Sequence, residues 1–226
     1  MTEEIHVMSS LAMKSACELL APRFEREEKI RVSLQFVGGA DIGKRLRARE
    51  TVDLVMLAAS AVDDFIREGL VQAGSRVDLV RSIIGVAVKS GAPRPDISSA
   101  DAIRRAVDMA RTVAYSSGPS GVYLAGVFER WGVPKEKLRQ TAPGVPSGGL
   151  LVTGEADLAF QQVSELLAVK GIDLVGPLPE GVQLVTIFSA GTPVTATNAK
   201  AARAFTAFLT SRAVVADLAS CGLEPA

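Results

Sequence analysis

The chain has one histidine, two cysteines and one tryptophan in 226 residues, and its 25 lysines and arginines are matched by 25 aspartates and glutamates. Each shortage excludes a class of chemistry. The single histidine, His6, lies in the strand-like run Ile5-His6-Val7-Met8 and cannot build a polyhistidine metal site or a Ser-His triad. Cys17 and Cys221 have no metal-ligand spacing and are too few for a disulfide scaffold. They read as small buried hydrophobes, with their redox state left open. Balanced charge gives no basic surface for nucleic acid. No apolar run reaches the roughly 20 residues that span a membrane, so the chain is not membrane-embedded. The start, Met1-Thr2-Glu3-Glu4, lacks the basic flank and apolar stretch of a signal peptide. The expected location is therefore periplasmic if an export signal has been removed, and otherwise cytoplasmic.

What is present is a hydroxyl- and glycine-rich junction that recurs with variations: Ser9-Ser10-Leu11, Gly38-Gly39-Ala40, Ser117-Gly118-Pro119-Ser120-Gly121 and Pro146-Ser147-Gly148. Each follows an apolar run or a turn and opens a helical pattern. Unpaired backbone N–H groups would then point outward beside a small side chain, which is how helix starts hold anions.

Periodicity places the junctions in a fold. Strands are expected at 5–8, 32–37 and 53–57, each followed by a helix, at 10–28, 40–49 and 61–68. The first helix would bury Leu11, Ala16, Leu19, Leu20 and Phe24, and the third would close at Gly69. Three strand-helix units in a row predict a parallel, doubly wound α/β sheet. The apolar run 77–89 then precedes the breaker Gly91-Ala-Pro93-Arg-Pro95, and Ser98 or Ser99 caps a helix running to Ala110. A second α/β series follows, with strands at 112–115 and 158–161 and helical segments at 121–131, 147–153 and 164–167. A second long run, 182–188, leads to helices at 200–209 and 212–220. Two lobes joined by two crossing strands account for both long runs. One lobe would be discontinuous, made of residues 1–81 plus 188–226, and the other would hold residues 82–187.

Other groups have plainer readings. Gly38-Gly39-Ala-Asp-Ile-Gly43-Lys44 matches phosphate-loop spacing but lacks the closing Ser or Thr that would ligate Mg²⁺. Lys44, Arg45, Arg47 and Arg49 read as a solvated helix face. Alternation along the strand at 158–161 turns one of Gln161 and Gln162 toward a cleft and the other into the lobe. Glu155 and Asp157 read as turn and strand-start carboxylates, and the groups able to move a proton near a ligand are few: serines, tyrosines, Lys14 and Glu165. Nothing in the pattern requires a cofactor or metal.

Taken together, Val7-Met-Ser-Ser-Leu11, Val52-Asp53-Leu54-Val55, Pro119-Ser-Gly-Val-Tyr123, Gly154-Glu-Ala-Asp-Leu158 and Gly222-Leu223-Glu224-Pro225 carry a family resemblance over nearly the whole chain. The chain resembles the molybdate-type (type II) periplasmic solute-binding proteins of ABC transporters, a family whose divergent branch includes aconitate-isomerase-like proteins. The resemblance implies a two-lobed fold that closes on a small anion, with an ABC permease as partner for a transport role. It implies a site drawn from Ser9, Ser10, Leu11, Gly38 and Gly39 on one lobe. From the other come Ser117, Ser120, Gly121, Ser147, Gln161 and Gln162. Two positions depart from the family pattern: Gly39 stands where a serine is expected, and Gln162 where a tyrosine is expected. Losing a hydroxyl and a phenol points to an organic carboxylate in preference to molybdate. The same scaffold also suits an isomerase of an unsaturated di- or tricarboxylate, or a cytoplasmic ligand sensor.

Overall fold

A computed structural model describes residues 3–226. They form two compact units: one runs up to Arg81 and resumes over Ile187–Ala226, and the other is Ser82–Thr186. The first unit begins with strand β1 (Glu3–Ser9), a short 3-10 turn at Leu11–Met13 and helix α1 (Lys14–Glu28). Then come β2 (Ile30–Phe36), α2 (Gly39–Arg47), β3 (Leu54–Ala58) and α3 (Ala59–Arg67). β1 pairs in parallel with β2, Ser9 opposite Phe36, and with β3, Val7 opposite Leu54. The expected doubly wound arrangement is therefore present, with β1 between the other two.

Alternation along β1 explains why both faces are covered. Ile5 and Val7 pack into a core with α1, and Met8 turns to the opposite core beside Ile42 and Leu46 of α2 and Val62 and Phe65 of α3. Of the residues assigned to the buried face of α1, Leu19 is a correction: it is 49% exposed, because Leu20 and Phe24 occupy the stripe that packs inward. Both cysteines are buried free thiols, and burial pushes Cys17 up to about 12.

β4 (Val77–Lys89) carries the chain into the second unit, where α4 (Ala100–Met109) starts at Ser99. The Ser99 hydroxyl accepts the Ala102 N–H at 3.2 Å, a normal N-cap. β5 (Val113–Tyr115), α5 (Pro119–Arg130), β6 (Leu138–Gln140), α6 (Gly149–Thr153), β7 (Leu158–Gln162), α7 (Val163–Leu167) and β8 (Ile172–Pro177) follow. β5 lies between β6 and β7, parallel to both, and β7 and β8 run antiparallel to β4. An aromatic cluster fills one side of this sheet, with Phe128 5.6 Å from Tyr115 and 5.7 Å from Phe160 between ring centroids.

The run expected as one strand over 182–188 is broken. A 3-10 turn occupies Glu180–Val182 and β9 spans Val185–Gly191. Between them the Gln183 amide pairs with the β4 backbone, accepting the Ile84 N–H at 2.7 Å and donating to the Ile84 carbonyl at 3.0 Å. β9 re-enters the first unit antiparallel to β3, Met56 opposite Ala190. The chain ends with α8 (Ala199–Leu209), α9 (Val215–Ser220) and β10 (Glu224–Pro225), the last pairing with the first half of β4. Phe205 of α8 meets Phe24 of α1 at 4.9 Å between centroids.

Buried Asp53 ties these distant segments of the first unit together. It accepts the His6 N–H at 2.9 Å, and its other oxygen accepts the N–H groups of Thr197 and Asn198 at 2.9 and 2.8 Å and the Thr197 hydroxyl at 3.2 Å. Burial works against its ionisation, but these hydrogen bonds win and hold the carboxyl below its ordinary range.

Candidate functional site

In the first unit, two strand-to-helix junctions stand side by side at the C-terminal ends of parallel strands, where open α/β sheets bind ligands. Ser9 ends β1, fully buried, with its hydroxyl donated to the Ser10 carbonyl at 3.1 Å. Ser10 takes the N-cap position of the following 3-10 turn, yet its side chain caps nothing. Its Oγ is buried and has no hydrogen-bond partner. Ordinary capping therefore does not explain this serine. A buried hydroxyl left without a partner costs about 1–3 kcal/mol, a cost that a ligand acceptor would remove. Leu11 opens the turn, where the first N–H groups have no acceptor within the helix.

At the neighbouring junction Gly38 is the extended N-cap of α2, again with no side-chain cap, and Gly39 is the first helical residue. A Cβ built on Gly39 meets only Leu57 Cδ2, at an ordinary 3.6 Å. Packing therefore does not demand glycine here, and a hydroxyl-bearing residue would fit. The basic residues of α2 are occupied within their own unit. Arg45 pairs with Glu50, Arg47 with Glu68 at 2.8 Å and Lys44 with Asp41 at 3.6 Å.

In the second unit the corresponding junction follows β5. Ser116 and Ser120 are buried and their hydroxyls share a hydrogen bond of 3.0 Å, with half-buried Ser117 between them in sequence. α5 starts at Pro119 behind an uncapped Gly118, so the N–H groups of Ser120 and Gly121 have no partner within the helix. Gly121 is a steric necessity, because a Cβ there would lie 1.6 Å from the Ser116 carbonyl oxygen. Sequence reasoning singled out Ser117, Ser120 and Gly121 as ligand contacts, and Ser116 joins them through its hydrogen bond to Ser120 one turn on.

The register of β5 with β7 ends with Tyr115 opposite Phe160, and Gln161 is the next residue along β7. Both glutamines of β7 are buried but serve different partners. The Gln161 side-chain oxygen accepts the Ser147 N–H at 2.7 Å and the Ser147 hydroxyl at 2.9 Å. Ser147 also reaches the Phe160 carbonyl at 3.2 Å, and it precedes α6 instead of opening it. Gln162 faces elsewhere: its amide accepts the Ser82 hydroxyl at 2.9 Å and donates to the Thr186 hydroxyl at 3.0 Å. Ser82 and Thr186 had given no sign in the sequence, since only the fold brings β4 and β9 to this side chain.

Glu165 follows in the first turn of α7. The residue is half-buried, with the carboxyl as its inward end; this burial pushes it up to about 7, and the Gln161 amide opposes the rise. Asp157 behaves in the opposite way, its carboxyl held below the ordinary range by Arg111 at 2.8 Å. Among the described residues, no group of three or more histidine, cysteine or acidic side chains is arranged to hold a metal ion.

A fold of this kind, with anion-suited junctions at its strand ends, is that of a solute-binding protein. The chain belongs to the family described as bacterial extracellular solute-binding protein, which it matches over residues 5–224. Its fold is of the type II periplasmic-binding-protein-like kind. A curated relative, aconitate isomerase from a Pseudomonas species, is 36% identical over 227 residues, covering 97% of this chain and 87% of that protein. Among solved structures, the periplasmic molybdate-binding protein of Azotobacter vinelandii matches with a TM-score of 0.80 at 15% identity, covering 97% of this chain and 98% of that one. The sulfate-binding protein SubI of Mycobacterium tuberculosis matches at 0.79 and 18% identity, covering 99% and 87%. PEB3 with bound L-phospholactate matches at 0.76 and 13% identity, covering 98% and 100%. Among the described residues no helix is long and apolar enough to cross a membrane.

Proposed function

We propose that this chain is a solute-binding protein whose ligand is a small organic carboxylate. Ser10, the α2 start at Gly38-Gly39 and the α5 start at Ser117–Gly121 would supply the hydrogen-bond donors. The observation that carries the reading is the orphaned Ser10 hydroxyl, a buried donor that neither capping nor packing uses. Two features favour a carboxylate over a tetrahedral metal oxyanion. Gly39 offers no hydroxyl although one would fit, and the Gln162 amide is spent on Ser82 and Thr186. PEB3 with L-phospholactate supports an organic acid as a ligand for this fold. The family's description as extracellular favours a periplasmic location, with a permease as the transport partner.

Thermal unfolding with each candidate ligand tests this. A ligand at 1,000 times its Kd adds about 4 kcal/mol to stability. Citrate or cis- or trans-aconitate should raise the midpoint while molybdate, tungstate and sulfate leave it unchanged. A rise with molybdate alone, or with none of these anions, would refute the proposal.

A second reading is an isomerase acting on an unsaturated tricarboxylate. The relative named aconitate isomerase, 36% identical across 97% of this chain, favours it. So does the Glu165 carboxyl, which burial pushes up to about 7 just after β7, the strand paired with β5.

A further inference from the structure

The far end of the second unit's sheet holds a groove that the anion-suited junctions do not use. Its volume is about 570 Å³, and it lies where β4 ends at Lys89, β7 begins at Leu158 and α4 finishes at Met109. The floor draws on both faces of the sheet: Val88 and Leu158 belong to one buried apolar cluster, Leu151 and Ala156 to another. The walls are small or stiff residues, Ala92, Pro93 and Pro95 on one side and Ala106 and Ala110 on the other, so no large side chain fills the space between them. Met109 stands at the lip, 85% exposed. Charge around the groove is unequal. Asp157 is the one acidic residue of the lining, and Arg111 is committed to it at 2.8 Å. Lys89 makes a single hydrogen bond, to the Val152 carbonyl at 3.3 Å, and exposed Arg94 makes neither a hydrogen bond nor an ion pair among the described residues. The carboxylate nearest to Arg94, that of Asp173, already accepts the Ser90 hydroxyl at 2.7 Å and the Gly91 N–H at 3.1 Å.

We propose that this groove is a second binding site, for an aliphatic monocarboxylate of medium chain length. Its volume falls within the range of about 300–1,000 Å³ typical of small-molecule sites. Lys89 and Arg94 receive the carboxylate at the rim, and the hydrocarbon chain lies over Val88 and Leu158 between α4 and the Pro93–Pro95 segment. No aromatic side chain lines the groove, so it has no stacking surface for a flat ring, whereas walls of alanine and proline suit a flexible chain. One carboxylate matches the cations free to receive it. A polyacid would have to desolvate its remaining carboxylates against an apolar floor, which is costly without partners. The groove is separate from the junctions of the proposed solute site, because it lies at the N-terminal ends of β5 and β7 and the Ser116–Gly121 junction lies at the C-terminal end of β5. It stands or falls independently of that reading.

Met109 gives the groove its own reporter. It is the one methionine of the second unit, while Met8, Met13 and Met56 are buried in the first. The full chain, carrying ¹³C-methyl methionine, is titrated with hexanoate, octanoate and decanoate, and with citrate for comparison, and methyl NMR follows each resonance. The Met109 signal should shift and saturate with the monocarboxylates while the three buried methionines stay in place, and each added CH₂ should tighten Kd about threefold to fourfold. Arg94→Glu, at an exposed position that leaves the fold intact, should weaken octanoate binding about two- to fivefold. Ala106→Leu narrows the groove and should weaken it about tenfold or more, the equivalent of two buried CH₂ groups. Trp131 emission verifies that the second unit is folded in both variants. No Met109 shift, an affinity indifferent to chain length, an equal response to citrate, or undiminished binding in Ala106→Leu overturns the proposal. A Met109 shift that follows protein concentration with no acid present means that a second copy of the chain occupies the groove, and overturns it as well.

Discussion

Replacing Asp53 should destabilise the first unit selectively and in two steps. Fully buried Asp53 accepts four hydrogen bonds, from the backbone of His6, Thr197 and Asn198 and from the Thr197 hydroxyl. A hydrogen bond to a charged group contributes about 1.5–3 kcal/mol, and bonds sharing one acceptor group are not additive. Asp53→Ala orphans all four donors and should cost about 4 kcal/mol. Asp53→Asn keeps an oxygen for the three donors at Thr197 and Asn198 but turns an NH₂ group on the His6 N–H, so it should cost about 2 kcal/mol. With a urea slope of about 2 kcal/mol/M, the midpoints fall by about 2 M and 1 M. The molecule supplies its own reference signal. Trp131, the only tryptophan, lies in the second unit, so its fluorescence reports that unit while far-UV circular dichroism reports both. The dichroism transition should move further than the fluorescence transition. Because the native carboxyl is held below its ordinary value of 3.8, its contribution is complete above that pH and is lost as pH falls through the depressed native value. The deficit of Asp53→Asn should therefore shrink on acidification. An Ala variant that loses less than about 1 kcal/mol, or a deficit that grows in acid, would refute the reasoning.

Gly121→Ala forces a Cβ to within 1.6 Å of the Ser116 carbonyl, so the junction backbone must move. The expected loss is about 3 kcal/mol, or roughly 6–12 °C in Tm by calorimetry, with weaker ligand binding alongside. Gln162→Leu removes the partner of the buried Ser82 and Thr186 hydroxyls and should cost about 2–4 kcal/mol, read by Trp131 fluorescence in urea. A neutral outcome there would mean the amide contributes nothing between β4 and β9. Glu165 gives the opposite pH signature to Asp53. Its carboxyl is raised from 4.5 to about 7, so stability is complete below 4.5, falls as pH rises toward 7 and is flat above, a loss of about 3 kcal/mol. Urea midpoints measured between pH 4.5 and 8 should show this component in wild type and lack it in Glu165→Gln.

The sequence carried the strand-helix alternation well, because buried parallel strands such as β3 are uniformly apolar and the helices between them keep one apolar stripe. β4, although antiparallel to its neighbours, read as one run because its second half, Ile83–Val88, is almost wholly apolar. β6 and β8 were not legible. Leu138-Arg-Gln140 is three residues long, and Ile172–Pro177 is interrupted by Asp173 and Gly176 and stays largely half-buried. The break before β9 was hidden because it comes from the Gln183 side chain copying a strand's hydrogen bonds to Ile84. At the site, the positions of the serines could be read from their junctions, but their hydroxyl partners could not. Ser9 and Ser10 are adjacent and alike in sequence, yet one hydroxyl is used locally and the other is orphaned. Gln161 and Gln162 diverge through strand alternation, and the partner each finds is a tertiary fact.

The discontinuity of the first unit also sets an order on the ribosome. The second unit is a single stretch, Ser82–Thr186, and all of its strands have emerged while the last part of the first unit is still unmade. Until Thr197 and Asn198 appear, the carboxylate of Asp53 lacks three of its four donors, and until Phe205 appears Phe24 lacks its aromatic neighbour. The N-terminal third must therefore wait, incompletely packed, through the synthesis of about a hundred intervening residues. A nascent chain that cannot lock its leading segment until its trailing one arrives stays threadable from the front, the condition that any unfolded-state export route demands.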